Sequence, residues 1–115
     1  MSHEKYQSCI EICQACAVVC EHCTSACLNE QDIQALKRCL QLNRDCADMC
    51  ILAANLMARG SQFAVQICAL CADICKACGD ECDKHKHMEH CRRCAEACYR
   101  CEEECRKMTK AAKAA

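Results

Sequence analysis

The stretch CIEICQACAVVCEHCTSAC, Cys9 to Cys27, sets its cysteines at steps of four, three, four, three and four residues. Steps that average about 3.5 residues keep side chains on one face of an α-helix. Cys9, Cys13, Cys16, Cys20, Cys23 and Cys27 therefore form a single stripe and occupy every inward seam position of one helix. The rhythm returns twice, in Cys68, Cys71, Cys75, Cys78 and Cys82 and in Cys91, Cys94, Cys98, Cys101 and Cys105. A thinner stripe lies between these, with Cys39, Cys46 and Cys50 sharing their seam with Leu36, Asn43, Ala53 and Met57.

Working outward from the stripes, the hydrophobic period resolves into four helical segments, 4–28, 31–59, 61–85 and 87–111. Proline is absent and glycine occurs only at 60 and 79, so the punctuation of strands and hairpins is missing. Asn29 is expected to end the first helix in a left-handed conformation, Gly60 to follow the second, and Ser61 to cap the third. The last break falls in KHKHM, residues 84–88, and the tail TKAAKAA is expected to fray. Short links make neighbouring helices antiparallel. The expected fold is thus all-α, an antiparallel up-down-up-down four-helix bundle with a cysteine-lined core, forming one domain over residues 1–115. Ile10, Ile12, Val19, Leu56, Ile67 and Ile74 flank the seams and seal the helix contacts.

Composition narrows the function. The hydrophobic fraction is 53%, but nineteen of those residues are cysteine and only Tyr6, Phe63 and Tyr99 are aromatic, so sulfur fills the interior. Fifteen basic residues are interleaved with sixteen acidic ones for a net charge of -1, which gives no footprint for nucleic acid. No apolar run has signal-peptide or membrane-span length, which predicts a cytoplasmic protein with no membrane partner. Thiols in that compartment are kept reduced, so a dense cysteine pattern points to metal binding or redox chemistry before disulfides.

Free cysteine packs as a small hydrophobe. Yet sixteen successive seam positions in three helices carry cysteine and never leucine, which would bury more apolar area. Disulfides within a helix would be strained, because neighbours on one face hold their β-carbons about 5–6 Å apart and a disulfide wants about 3.5–4.5 Å. The six C-x-x-C pairs lack the βαβ setting of a thioredoxin-type site, and iron–sulfur ligands come in compact sets of about four.

Dense thiolates select soft ions, chiefly Cu(I) or Zn(II). A buried file of thiolates needs near-complete charge compensation. One Cu(I) per bridging thiolate supplies it, and two-sulfur sites can be drawn from adjacent residues of one helix. Zinc wants four ligands and hence facing helices in register. The expected cargo is multiple Cu(I) ions held by all nineteen cysteines, with zinc or mixed-metal sequestration, or a thiol-redox or iron–sulfur protein, as alternatives.

The four cysteine-lined helices, with CALCADICKACGDEC at 68–82 and KHKHMEHCRRCAEACYRCEEEC at 84–105, resemble the bacterial copper storage proteins, in particular their cytosolic branch. The resemblance spans roughly residues 5–108. It implies a bundle that holds many Cu(I) ions along its core, commonly assembled as a homotetramer, and exchanging copper with a donor or acceptor. No catalytic constellation is present, so no enzyme activity is expected.

Extending the helix 3 seam past Cys82 reaches His85, and extending the helix 4 seam back from Cys91 reaches His87. Both imidazoles are expected at one mouth of the tube, with His90 close by, as further copper ligands. Tyr6, Met57, Phe63 and Met108 are expected to plug the other end, with the two methionines packing and only secondarily offering thioethers. Val18, Ile51, Leu52 and Leu70 face outward and predict self-association.

Overall fold

The computed structural model describes residues 2–114, of which 112–114 are described in backbone only, as are Ser2 and His3. Four helices follow in order: α1 (Gln7–Leu28), α2 (Lys37–Ala58), α3 (Ala64–Asp83) and α4 (Glu89–Ala114). Short 3-10 turns at Ser2–Tyr6 and Ile33–Leu36 precede the first two, and the described residues contain no strand. The helices form a rod of 48 × 21 × 18 Å in which α1 packs on α2 and α4, and α3 packs on the same two. Sulfur contacts fix the directions. Cys9 meets Cys105 and Cys27 meets Cys91, so α1 and α4 are antiparallel, while Cys39 meets Cys82 and Cys50 meets Cys71, so α2 and α3 are too.

The helix ends show local chemistry at work. Gly60 has φ 64°, the Ser61 N–H donates to the Leu56 carbonyl at 2.9 Å, and the Gly60 N–H donates to Met57 at 3.1 Å. That pair of bonds is a Schellman stop, which glycine permits because it lacks a β-carbon. Ser61 then turns the chain into α3, its Oγ accepting from the Phe63 N–H. Asn29 departs from expectation. Its φ is -92°, and α1 instead tightens through bonds from Asn29 to Ala26 and from Glu30 to Cys27. The carboxylate of Asp32 accepts from Ala35, so a 3-10 turn opens the second helical segment and the α-helix proper begins at Lys37. α3 closes at Asp83 and α4 opens at Glu89, leaving a longer link than expected, and α4 continues helical to Ala114 where fraying was predicted.

All nineteen cysteines are buried, and Leu36, Asn43, Ala53 and Met57 complete the inner wall as the seam predicts. Ile10 is buried and Ile12, Val19, Ile67 and Ile74 pack half-buried against the core. Val18, Ile51, Leu52 and Leu70 face outward, Val18 at 68% exposure. Tyr6 and Met108 pack half-buried against the core and Met57 is fully buried, but Phe63 is 54% exposed. Phe63 precedes the first turn of α3, so the helical phase that would turn it inward does not apply.

Glycine at position 79 has a spatial reason. A β-carbon there would lie 2.7 Å from Cε1 of Tyr99, whose hydroxyl donates to Asp80 at 2.6 Å. Replacing Gly79 with valine is therefore expected to destabilise the bundle by about 1–3 kcal/mol through overpacking. Adding Tyr99→Ala should recover part of that loss, read as non-additive thermal midpoints in a double-mutant cycle. Additive losses would show that the ring does not limit position 79.

Candidate metal centre

Helical periodicity delivers the sulfurs, and antiparallel packing interleaves them. Pairs four residues apart touch within one helix: Cys23 and Cys27 at 3.8 Å, Cys46 and Cys50 at 3.9 Å, Cys71 and Cys75 at 3.9 Å, and Cys94 and Cys98 at 4.0 Å. Contacts between helices are at least as close. Cys39 and Cys82 lie 3.5 Å apart, Cys46 and Cys75 3.6 Å, Cys13 and Cys101 3.6 Å, and Cys50 and Cys101 3.7 Å. Such distances are nearly twice a disulfide bond of about 2.05 Å, and every cysteine is free. The sulfurs form a continuous path along the bundle, from Cys9 through Cys105, Cys13, Cys101, Cys50, Cys75, Cys46, Cys98 and Cys20 to Cys94.

The grouping differs from the single-helix pairs that the spacing suggests. Quartets of donor atoms lie within 4.8 Å of one another, among them Cys13, Cys71, Cys101 and Cys105, then Cys16, Cys46, Cys50 and Cys75, and Cys20, Cys78, Cys94 and Cys98. Facing helices are thus already in register, which removes one argument against tetrahedral zinc. Another replaces it: Cys16, Cys20, Cys46 and Cys98 form a quartet of their own, so Cys16 and Cys46 are shared with the group of Cys50 and Cys75, and Cys20 and Cys98 with that of Cys78 and Cys94. Sulfurs shared between sites suit bridging thiolates on Cu(I) better than separate four-coordinate ions.

Asn43 interrupts the sulfur lattice. Its Oδ1 accepts from the thiols of Cys78 at 3.1 Å, Cys94 at 3.3 Å and Cys82 at 3.5 Å, and its Nδ2 donates to Cys39 at 3.8 Å. The seam phase placed Asn43 inside but gave it no task. Its being the one polar residue among the seam positions of α2 was the available signal, since a buried amide needs partners.

Near the α1–α2 and α3–α4 links the three histidines part company. His90 sends Nδ1 towards three sulfurs, Cys91 at 3.5 Å and Cys23 and Cys27 at 3.7 Å, and with them forms a further quartet. His85 instead directs Nε2 to Glu81 at 3.3 Å, and His87 is exposed, its ring centroid 6.5 Å from that of His85. The seam extrapolation fails there because α3 has ended at Asp83, whereas His90 sits inside the first turn of α4. Both His85 and His87 line a cavity of about 480 Å³ at this end, together with Glu30, Asp32 and Met88. Buried Glu81 also gathers Arg38 at 3.5 Å and Lys84 at 3.3 Å, tying α2 to α3 and its following link.

Electrostatically the thiols act together. Cys46 is pushed well below the usual thiol range by hydrogen bonds from Cys16, Cys20, Cys50 and Cys75, against the opposing effect of burial. Cys50 is pushed up by its hydrogen bonding with Cys101, Cys13, Cys16 and Cys46, among which its single proton is shared, and by burial. A thiolate stabilised by S–H neighbours makes those neighbours harder to ionise, so protons leave in coupled steps. Burial opposes charge on His90, but Cys23 and Glu30 outweigh it and its pKa is raised. Soft donors in close contact, free of disulfides and in need of positive charge when ionised, fit a file of monovalent soft cations.

Comparisons with known proteins agree with this chemistry. A family profile described as copper storage protein matches residues 2–110. An uncharacterized cysteine-rich protein, YhjQ, of Bacillus subtilis (strain 168) is 51% identical over 89 residues, 76% of this chain and 82% of that protein. The apo structure of copper storage protein 3 from Bacillus subtilis is 50% identical and superposes with a TM-score of 0.85 over 90% of this chain and 98% of that one. A cytosolic copper storage protein from Streptomyces lividans, in a structure with five coppers, is 39% identical with a TM-score of 0.90, covering 95% of each chain. Matched along nearly its whole length by that profile and sharing the bundle of these relatives, the chain belongs to the copper storage protein family.

Proposed function

We propose that this protein stores and buffers Cu(I) in the cytosol, the compartment of its Streptomyces relative, as thiolate-bridged ions along the bundle axis. The observation that carries this reading is the file of buried, unbonded sulfurs at 3.5–4.0 Å whose quartets share members. All nineteen cysteines serve as ligands. His90 joins Cys23, Cys27 and Cys91 at one end, while His85 and His87 line the approach and hand copper inward. Copper arrives from a donor and leaves to an acceptor, and no substrate bond is transformed. The whole chain acts as one storage domain. Outward Val18 and Ile51 border a shallow groove between α1 and α2, and such surfaces support a homotetramer.

Anaerobic Cu(I) titration against a competing chelator is expected to plateau near about one ion per thiolate, since each sulfur bridges and each copper takes two. A plateau at about half that or lower would favour zinc-like four-coordinate sites. Changing Cys13, Cys16, Cys20 and Cys23 to serine should lower capacity by about four ions, because hydroxyls bind Cu(I) poorly. Unpartnered hydroxyls cost about 1 kcal/mol each, so helicity is measured alongside. Undiminished capacity in a folded quadruple variant would remove α1 from the store.

The reduced metal-free protein should already be helical by circular dichroism, because Leu36, Met57 and the flanking isoleucines bury apolar surface without metal. Copper should then raise its thermal midpoint by binding the native state. A random-coil spectrum for the reduced apo-protein would contradict this.

Replacing His85 and His87 together with alanine should slow copper uptake and chelator extraction while leaving most of the capacity. Rates equal to those of the parent would exclude a gating role for the pair.

A further inference from the structure

We infer that Glu30 is the positioning residue for His90, holding its imidazole so that Nδ1 is the nitrogen offered to copper. This rests on the reading of His90 as a ligand. Nδ1 lies 3.5–3.7 Å from the sulfurs of Cys91, Cys23 and Cys27, so a metal among those sulfurs meets that nitrogen. A neutral imidazole that offers Nδ1 must carry its proton on Nε2. Nε2 is buried, and no hydrogen bond to it is formed. A buried N–H without an acceptor is costly, and a ligating histidine ordinarily donates its second nitrogen to a carboxylate or carbonyl.

Oε1 of Glu30 stands 3.5 Å from that nitrogen, a few tenths of an ångström beyond a formed bond. Glu30 belongs to the link after α1, where its N–H is anchored on the Cys27 carbonyl at 3.1 Å, and its side chain is partly exposed and able to advance. The two residues lie sixty positions apart in sequence, in the link between α1 and α2 and in the first turn of α4. Closing the remaining gap fixes the tautomer and ring plane of His90 and ties the two links together over the sulfurs of Cys23, Cys27 and Cys91. Copper uptake at Nδ1 and hydrogen bonding at Nε2 then strengthen each other.

The test compares the parent with Glu30→Ala, Glu30→Gln and His90→Ala, each as full-length reduced protein, with and without Cu(I) supplied anaerobically. Nitrogen-15 NMR of the His90 ring reads the tautomer and the exchange of the Nε2 proton with water, and chelator competition reads affinity. In the parent loaded with copper, the Nε2 proton should be slow to exchange and shifted downfield. In Glu30→Ala that protection should vanish, and the copper equivalent lost in His90→Ala should bind about tenfold more weakly. Glu30→Gln, whose amide oxygen accepts the same bond, should recover most of both effects. Parent-like protection and affinity in Glu30→Ala would overturn the assignment, as would failure of Glu30→Gln to rescue. If His90→Ala itself binds copper as the parent does, the ligand reading of His90 falls, and this arm is independent of any change at Glu30. Glu30 is at the surface, so an unchanged thermal midpoint of the apo variants confirms that the fold is intact.

Discussion

Sulfur at van der Waals contact with sulfur is the constraint around which the molecule is built. Cysteine is short, so thiols from different helices meet only if the helix axes come close and stay parallel over their length. Long straight helices, short links and the near absence of bulky residues inside all follow from this. The inner wall admits Leu36, in the 3-10 turn before α2, and Ala53 and Met57 within α2, where the cysteine stripe is thinnest. Where α3 and α4 approach, Gly79 provides the room that the Tyr99 ring occupies.

Such a core gives up apolar burial, because a thiol covers less surface than leucine. Stability is recovered at the rim of each interface. Ile10, Ile12, Val19, Ile67 and Ile74 seal the seams from outside the stripe. Charged residues supply cross-links further out, as between Arg106 and Asp73 at 3.2 Å, Arg44 and Glu21, and the cluster about Glu81. The division leaves the interior to chemistry and assigns adhesion to the margins.

Much of this was legible in the sequence because helical phase is a strong signal. The stripes, the seam places of Leu36, Asn43, Ala53 and Met57, and the outward Val18 and Leu70 follow from counting residues. Phase says nothing once a helix has ended. His85 and His87 were therefore set inward by extending a seam into a link, whereas His90 reaches the sulfurs from within α4 although it lies one residue off the seam. Asn29 failed for a related reason, since tolerance of left-handed backbone is a permission, and 3-10 tightening answered the same need. Pairing across helices was also hidden. Spacing along one chain segment cannot report the register between segments, so the shared quartets and the three thiols on Asn43 emerged only in three dimensions.

Each sulfur in the lattice hangs on a side chain with a single rotatable heavy-atom bond. Ordering it on folding forfeits little rotational entropy compared with methionine or leucine. The surrounding helices, fixed by their own seals, already hold neighbouring sulfurs within 4 Å of each other. A cation arriving in this lattice consequently meets donors whose disorder has been removed in advance, and its binding free energy is not spent on organising the chain. The cost of preorganisation is instead borne by synthesis and folding, long before any ion is present.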